Sequence, residues 1–213
     1  MWRGTTAAFA ALALAGCAFG DVKVAKPLAK DVTTSSRRGE GRQIVVVSPF
    51  GRGRTQVRCG MKKNGYNVDT ANVLCTEAPE VFLPDLLGDA LADAGFEVYD
   101  DRRAALPSTI VLTGVVRQLF IEPKIDYATL TLETDLELEL TAKNGAGLVA
   151  TRRFYVKGAE ASTTSSTEDM QRSLDSAVRE LVAGVVGAVA NLADAYPPPV
   201  APPKVETPKV GAP

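Results

Sequence analysis

The chain of 213 residues contains no histidine and only three cysteines. The absence of histidine excludes a histidine general base, a Ser-His-Asp triad, and zinc or haem bound by histidine. Three cysteines cannot supply a four-thiolate metal site. Charge of one sign is not in excess either, since 24 basic residues face 25 acidic residues. This balance argues against a nucleic-acid-binding protein, which is usually strongly basic. We therefore expect no cofactor, no metal and no nucleic-acid partner.

The first 16 residues have the pattern of a secretory signal peptide. Arg3 gives a short positive region, and the apolar stretch at 7–15 is too short to span a bilayer as a helix. The sequence Leu-Ala-Gly-Cys at 14–17 resembles the bacterial lipobox, which implies cleavage before Cys17 and its lipidation, palmitate included. The alternative is an ordinary signal peptide with a chance cysteine. Ala18 stands where aspartate would retain such a protein at the inner membrane, so the resemblance implies an outer-membrane anchor facing the periplasm.

The other two cysteines, Cys59 and Cys75, remain after this cleavage. They would lie in a compartment that permits disulfides. We predict that they pair, which would stabilise the fold by roughly 3 kcal/mol on the chain-entropy model. The alternative is two free buried thiols.

Composition divides the rest of the chain into three parts. Residues 17–42 are polar after the lipidated cysteine and are predicted to be a flexible tether. Residues 43–195 have the size of a single globular domain. Residues 196–213 contain seven of the thirteen prolines and are predicted to be a disordered tail, or alternatively a proline-rich ligand for an envelope partner.

Hydrophobic periodicity in residues 43–195 predicts an α+β domain. A buried strand is expected at 44–47, and a hairpin with its turn at 63–65 in the cysteine-containing loop. A helix ending at Gly95 is followed by three strands at 109–121, 127–142 and 148–158 and a helix at about 168–193. We predict a largely antiparallel sheet of about four strands with two helices packed on one face, in the order β-loop-α-β-β-β-α.

Short motifs in this domain resemble those of the YajG-like bacterial lipoproteins. Besides Cys17, the resemblance includes GFEV at 95–98, VRQL at 116–119, YAT at 127–129, AKNG at 142–145, VKGA at 156–159 and AS at 161–162. It implies a periplasmic, membrane-anchored α+β domain, and it supplies no catalytic residues.

Charge is segregated along the chain. Residues 37–63 contain eight basic residues and one acid, whereas residues 64–101 contain nine acids and no basic residue. Such segregation creates a field that steers partners. Arg52, Arg54 and Arg58 are the predicted contacts for an anion or partner. The alternative is that the basic segment pairs internally with the acidic one.

Two acidic rows have both a functional and a structural interpretation. Asp85, Asp89 and Asp93 are spaced to lie on one helix face, either as an acidic docking stripe or as a solvated surface. Alternate residues from 133 to 139 are also acidic and could bind Ca²⁺. We favour cross-strand charge pairing for this second row, with Glu137 opposite Arg153 and Glu133 opposite Lys157.

The chain has no Gly-x-Ser-x-Gly and no Ser-x-x-Lys motif, so we do not expect an enzyme. We predict a non-enzymatic binding or adaptor module of an envelope complex, anchored to the membrane by its lipid and bound to an envelope protein. The second hypothesis is direct binding of a lipid or an anionic glycan, lipopolysaccharide or peptidoglycan.

Overall fold

The structure is a computed structural model that describes residues 20–28, 39, 42–99, 109–126, 129–144, 147 and 149–195. These residues form nine strands and two helices: β1 (Val22–Val24), β2 (Gln43–Val46), β3 (Gly51–Arg52), β4 (Gly60–Lys63), β5 (Asp69–Cys75), α1 (Pro79–Asp93), β6 (Glu97–Tyr99), β7 (Ile110–Ile125), β8 (Leu130–Lys143), β9 (Val149–Ser162) and α2 (Thr167–Ala195). The signal peptide, Cys17, most of the predicted tether and the proline-rich tail lie outside the described residues.

The nine strands form one mixed sheet. β7, β8 and β9 are long, consecutive and antiparallel. The other edge of β7 pairs with three short strands in turn, all parallel to it: β2, then β3, then β4. β6 extends the sheet beyond β2, whereas β5 and β1 extend it beyond β4.

The predicted sheet of about four largely antiparallel strands, and the predicted order of elements, are therefore wrong. Short strands with parallel pairings account for the difference, because segments of two to four residues are too short to display an alternating pattern. β1 lies inside the predicted tether, so Val22–Val24 belong to the sheet. The predicted hairpin in the cysteine loop is present as the antiparallel pair β4–β5.

Both helices pack against the same face of the sheet and share one apolar core. Alternate residues of β8 point into this core, including Leu132, Leu136 and Leu138, all fully buried. α2 is long and apolar enough to cross a membrane by length and composition. Its apolar stripe is instead buried against β8 and β9, so α2 is the central helix of this core.

Candidate binding surfaces

The disulfide between Cys59 and Cys75 joins the two strands of the β4–β5 hairpin at its base. The Cα atoms of the pair are 5.6 Å apart, and the predicted pairing is thereby confirmed. The backbone N–H of Cys59 donates to the carbonyl oxygen of Val73 at 2.8 Å. The bridge therefore fixes the hairpin immediately after the segment 52–58, which contains the three predicted basic contacts.

Arg54, one of these three residues, is buried rather than presented to solvent. Its Nε donates to Glu80 Oε1 at 2.8 Å, and its Nη1 donates to the carbonyl oxygen of Gln56 at 2.9 Å. Burial would raise the pKa of Glu80, but the hydrogen bond from Arg54 and the charges of Arg54 and Arg52 outweigh it and hold this pKa below its ordinary value. Arg54 thus attaches the loop to the first turn of α1, and its side chain is not available to an external partner.

Arg52 and Arg58 reach solvent but also have internal partners. Arg52 Nε donates to Glu80 Oε1 at 3.1 Å, while half of the Arg52 side chain stays exposed. The Arg58 guanidinium lies 5.9 Å from the centre of the Phe120 ring, and its Nη1 donates to Asn72 Oδ1 at 3.3 Å. The alternative interpretation was that the basic segment pairs internally with the acidic segment. It describes Arg54, and in part Arg52, because both pair with Glu80.

The predicted acidic docking stripe lies on the solvent side of α1. Asp85, Asp89 and Asp93 are all exposed, and none of them makes an ion pair within the described part of the chain. Their helix face therefore retains its negative charge at the surface. Whether the stripe docks a basic partner remains a prediction.

The sheet face opposite the helices forms a long charged surface, called the open face below. Among the described residues no helix covers it. It comprises the outward-facing side chains of three strands: Arg117, Phe120 and Glu122 from β7; Glu133, Asp135, Glu137 and Glu139 from β8; and Arg153, Tyr155 and Lys157 from β9. The acidic row of β8 thus lies between two strands that carry basic and aromatic residues.

Ion pairs connect the strands of the open face. Arg153 contacts both Glu137 and Glu139 at 3.2 Å. Lys157 contacts Glu133 at 3.5 Å and Asp135 at 3.3 Å. Charge pairing of this row is therefore present. The predicted register is wrong by two residues, since Glu137 lies opposite Tyr155 and Glu133 opposite Ala159. The predicted partners still meet because long side chains reach their diagonal neighbours.

Hydrogen bonds hold the side chains of the open face in place. Tyr155 Oη donates to Asp135 Oδ1 at 2.6 Å, which raises the pKa of Tyr155. Hydrogen bonds from Arg117 and Arg153 lower the pKa of Glu139. More than half of the Tyr155 and Arg153 side chains nevertheless faces solvent. Arg117 and Tyr155 were not predicted from the sequence as surface groups, although the alternation in β9 could have identified Tyr155.

A separate apolar cavity of about 390 Å³ lies between the C-terminal half of α2 and the first half of β9. Its lining includes Leu140, Phe154 and Leu192. The Arg152 guanidinium lies 5.2 Å from the centre of the Phe154 ring, so a positive charge stands at this apolar site. Its chemistry suits an apolar chain with an anionic group.

Comparison with solved structures identifies the fold. A Xanthomonas campestris protein of the DUF330 family superimposes with a TM-score of 0.59 at 17% identity, over 81% of this chain and 98% of that chain. This likeness shows that the two proteins share a fold. A Caulobacter crescentus protein named as a lipoprotein is 19% identical over 55% of this chain and 84% of its own, with a TM-score of 0.39.

A minor lipoprotein from Acinetobacter baumannii is 15% identical, over 52% of this chain and 84% of that chain, with a TM-score of 0.37. No protein-family model and no curated protein sequence matches the chain. The resemblance to the YajG-like family therefore stays a prediction.

Proposed function

We propose that this chain is a lipid-anchored protein of the bacterial envelope, attached through Cys17 to the outer membrane and facing the periplasm. Its domain acts as a non-enzymatic binding or adaptor module of an envelope complex. Support for the anchor comes from the lipobox-like sequence at 14–17. The open face is the observation that carries the binding function.

The open face has the features of a preorganised protein-binding surface. Its side chains are fixed by mutual ion pairs, so little rotamer freedom remains to be lost when a partner binds. Arginine and tyrosine, the residue types enriched at the centres of interfaces, are represented by Arg153 and Tyr155. The two long strands that carry most of this charge contain 14 residues each, which corresponds to a length of about 47 Å.

The two ends of the domain suit an adaptor. Cys17 precedes β1 by only five residues, so an anchored domain stays close to the bilayer rather than at the end of a long tether. α2 contains 29 residues and is therefore about 43 Å long. The proline-rich segment 196–213 follows α2 in the sequence, and in this proposal it contacts partners away from the membrane.

Cross-linking in cells, followed by detergent solubilisation, affinity capture and mass spectrometry, tests this proposal. We expect a stoichiometric envelope protein that is captured at least ten-fold less by the variant Arg153→Glu with Tyr155→Glu. Loss of capture with Cys17→Ser would show that the anchor is needed. The matched control is Arg179→Glu with Ala183→Glu, which makes the same change of charge on the exposed side of α2, away from the open face. Undiminished capture by the open-face variant would contradict the proposal.

The second candidate function is direct binding of a lipid or an anionic glycan. The observation that favours it is the apolar cavity beside Arg152 and Phe154. Native mass spectrometry of the detergent-extracted protein tests it. A bound lipid that is lost in Leu192→Trp, which would fill the cavity, supports this function. A mass equal to that of the Cys17-lipidated chain alone, in every preparation, contradicts it.

A further inference from the structure

The tip of the β4–β5 hairpin exposes apolar side chains without any charge. Residues 64–68, with the sequence Asn-Gly-Tyr-Asn-Val, connect the two strands. Tyr66 is 89% exposed and Val68 is 57% exposed. The nearest charged residues along the chain are Lys63 and Asp69, which border the tip in β4 and β5. A surface of this kind can enter an apolar environment without taking an ionised group out of water.

Four of the five backbone N–H groups of the tip form hydrogen bonds within it. Asn64 Oδ1 accepts from the N–H groups of Tyr66 at 3.0 Å and Val68 at 3.1 Å. The N–H of Asn67 donates to the carbonyl oxygen of Asn64 at 2.9 Å, and the N–H of Asn64 donates to that of Val68 at 3.0 Å. Internal hydrogen bonds lower the cost of moving a backbone turn away from water.

The path of β1 brings the N-terminal segment to the same end of the molecule. β1 runs parallel to β5, and Asp21 Oδ1 accepts from the backbone N–H of Asn72 at 2.8 Å. Cys17 precedes Asp21 by four residues in the sequence, and four residues span at most about 15 Å. Val68 likewise lies four residues before Asn72, about 13 Å along the strand. A lipid on Cys17 therefore keeps the hairpin tip close enough to the bilayer for the tip to reach it.

A cavity of about 410 Å³ lies beside the tip, between the hairpin and the adjoining ends of β7 and β8. Its lining combines the apolar residues Ile125 and Leu130 with polar residues that include Lys62 and Lys63. Ile125 is 38% exposed. Ile125 and Leu130 thus add some apolar surface next to the tip, at a site that also carries two lysines.

We propose that residues 64–68 form a second membrane contact, in which Tyr66 and Val68 enter the interfacial region of the phospholipid bilayer that holds the Cys17 lipid. The aromatic ring of tyrosine, apolar with one polar end, is the type of side chain that membrane interfaces favour. Two contacts on one domain fix its orientation, and the open face is then held at a defined angle to the membrane. This inference rests on the lipid anchor of the proposed function.

Tryptophan fluorescence tests the contact. The single tryptophan, Trp2, lies in the predicted signal peptide, so the variant Tyr66→Trp of the mature lipidated chain carries one probe at the tip. The matched control is Tyr155→Trp, which replaces a tyrosine 54% exposed on the open face. Both proteins are reconstituted into vesicles of phosphatidylethanolamine and phosphatidylglycerol, with and without lipids brominated on their acyl chains.

We expect brominated lipids to reduce the emission at residue 66 at least two-fold and to leave residue 155 unchanged. Equal, unquenched emission at both positions would overturn the proposal. A blue shift at residue 66 without quenching by bromine would also overturn it, because the tip would then be buried against protein. The mass of the mature chain reports lipidation separately. If Cys17 carries no lipid, the same variants of the unlipidated chain, added to vesicles, still decide whether the tip enters the bilayer.

Discussion

Gly158 of β9 and Ser173 of α2 meet backbone to backbone. A Cβ atom placed on Gly158 would lie 2.0 Å from the carbonyl oxygen of Ser173 and 2.7 Å from the backbone nitrogen of Ala177. At the same place Ser173 Oγ donates to the carbonyl oxygen of Gly158 at 3.2 Å and lies 2.7 Å from Thr134 Oγ1. α2 therefore packs against the sheet at the one position of β9 that has no side chain. The buried hydroxyl groups of Ser173 and Thr134 pair with each other at the same place.

Gly158→Ala should destabilise the domain by about 3 kcal/mol, the upper range for adding a methyl group to a packed core. The methyl group meets backbone atoms, which cannot move aside as a flexible side chain would. Urea unfolding followed by circular dichroism measures the change. The control is Gly184→Ala on the exposed side of α2, where the nearest atom belongs to Phe154 at 3.7 Å. This control should stabilise the helix by up to about 1 kcal/mol, and equal effects of the two substitutions would contradict the packing described here.

Reduction of the Cys59–Cys75 disulfide should lower the free energy of unfolding by about 3 kcal/mol, since the unfolded chain regains the freedom that the closed loop removes. Urea unfolding with and without a phosphine reductant measures the difference. The variant Cys59→Ala with Cys75→Ala is the control, because the reductant should leave its unfolding midpoint unchanged. A native domain whose midpoint is equally insensitive to the reductant would contradict this prediction.

The long elements of this fold could be predicted from the sequence because their patterns extend over many residues. The leucines of β8 recur at alternate positions from 130 to 140, with Thr134 as the one exception, and the apolar stripe of α2 continues from 170 to 193. The short strands give no such signal. β3 consists of Gly51 and Arg52 alone, and it is a strand because β7 offers it a free edge. Parallel pairing between segments distant in sequence depends on the assembled sheet, which local patterns do not record.

The candidate sites could likewise be predicted only in part from the sequence. The pairing of Cys59 with Cys75 followed from the compartment and from the count of cysteines. The charge pattern indicated that an arginine-rich loop precedes Cys59, but no pattern distinguishes a buried arginine from an exposed one. Arg54 is buried because Glu80 lies at the first turn of α1, directly within its reach. That proximity is a property of the tertiary fold.

The pKa of Glu139 should rise toward its ordinary value in the variant Arg117→Gln with Arg153→Gln. Hydrogen bonds from these two arginines are the principal cause of its lowered pKa. A carbon-13 NMR titration of the glutamate carboxyl groups measures the change. The control is Arg152→Gln, which removes a neighbouring charge whose guanidinium lies over Phe154. A Glu139 pKa that stays low after both arginines are replaced would show that their hydrogen bonds are not the cause of the lowered pKa.

Arg54→Met should destabilise the domain by about 3–5 kcal/mol at pH 7, because it leaves the Glu80 carboxylate buried without its main partner. Arg52→Met is the control. Arg52 contacts the same carboxylate but is half exposed, so its loss should cost less than about 1 kcal/mol. Urea unfolding of the three proteins at pH 7 compares these changes. Equal effects of the two substitutions would contradict the internal role assigned to Arg54.

The same substitution should have a pH-dependent effect whose direction follows from the pKa of Glu80. In the native protein this pKa lies below its ordinary value, so the ionised pair stabilises the fold fully above the unfolded-state pKa, about 4.3. That contribution is lost as the pH falls through the folded-state pKa. In the variant Arg54→Met, Glu80 is still buried but lacks the hydrogen bond from Arg54. Its carboxyl group should therefore become protonated at a higher pH than in the native protein. A neutral buried carboxyl group destabilises the fold less than a charged one. The difference in unfolding free energy between the two proteins should therefore be largest at neutral pH. It should shrink as the pH falls through the raised pKa of Glu80 in the variant and on to its lowered pKa in the native protein. A difference that stays constant from pH 7 to pH 3 would show that lost packing, rather than the unpaired carboxylate, causes the destabilisation.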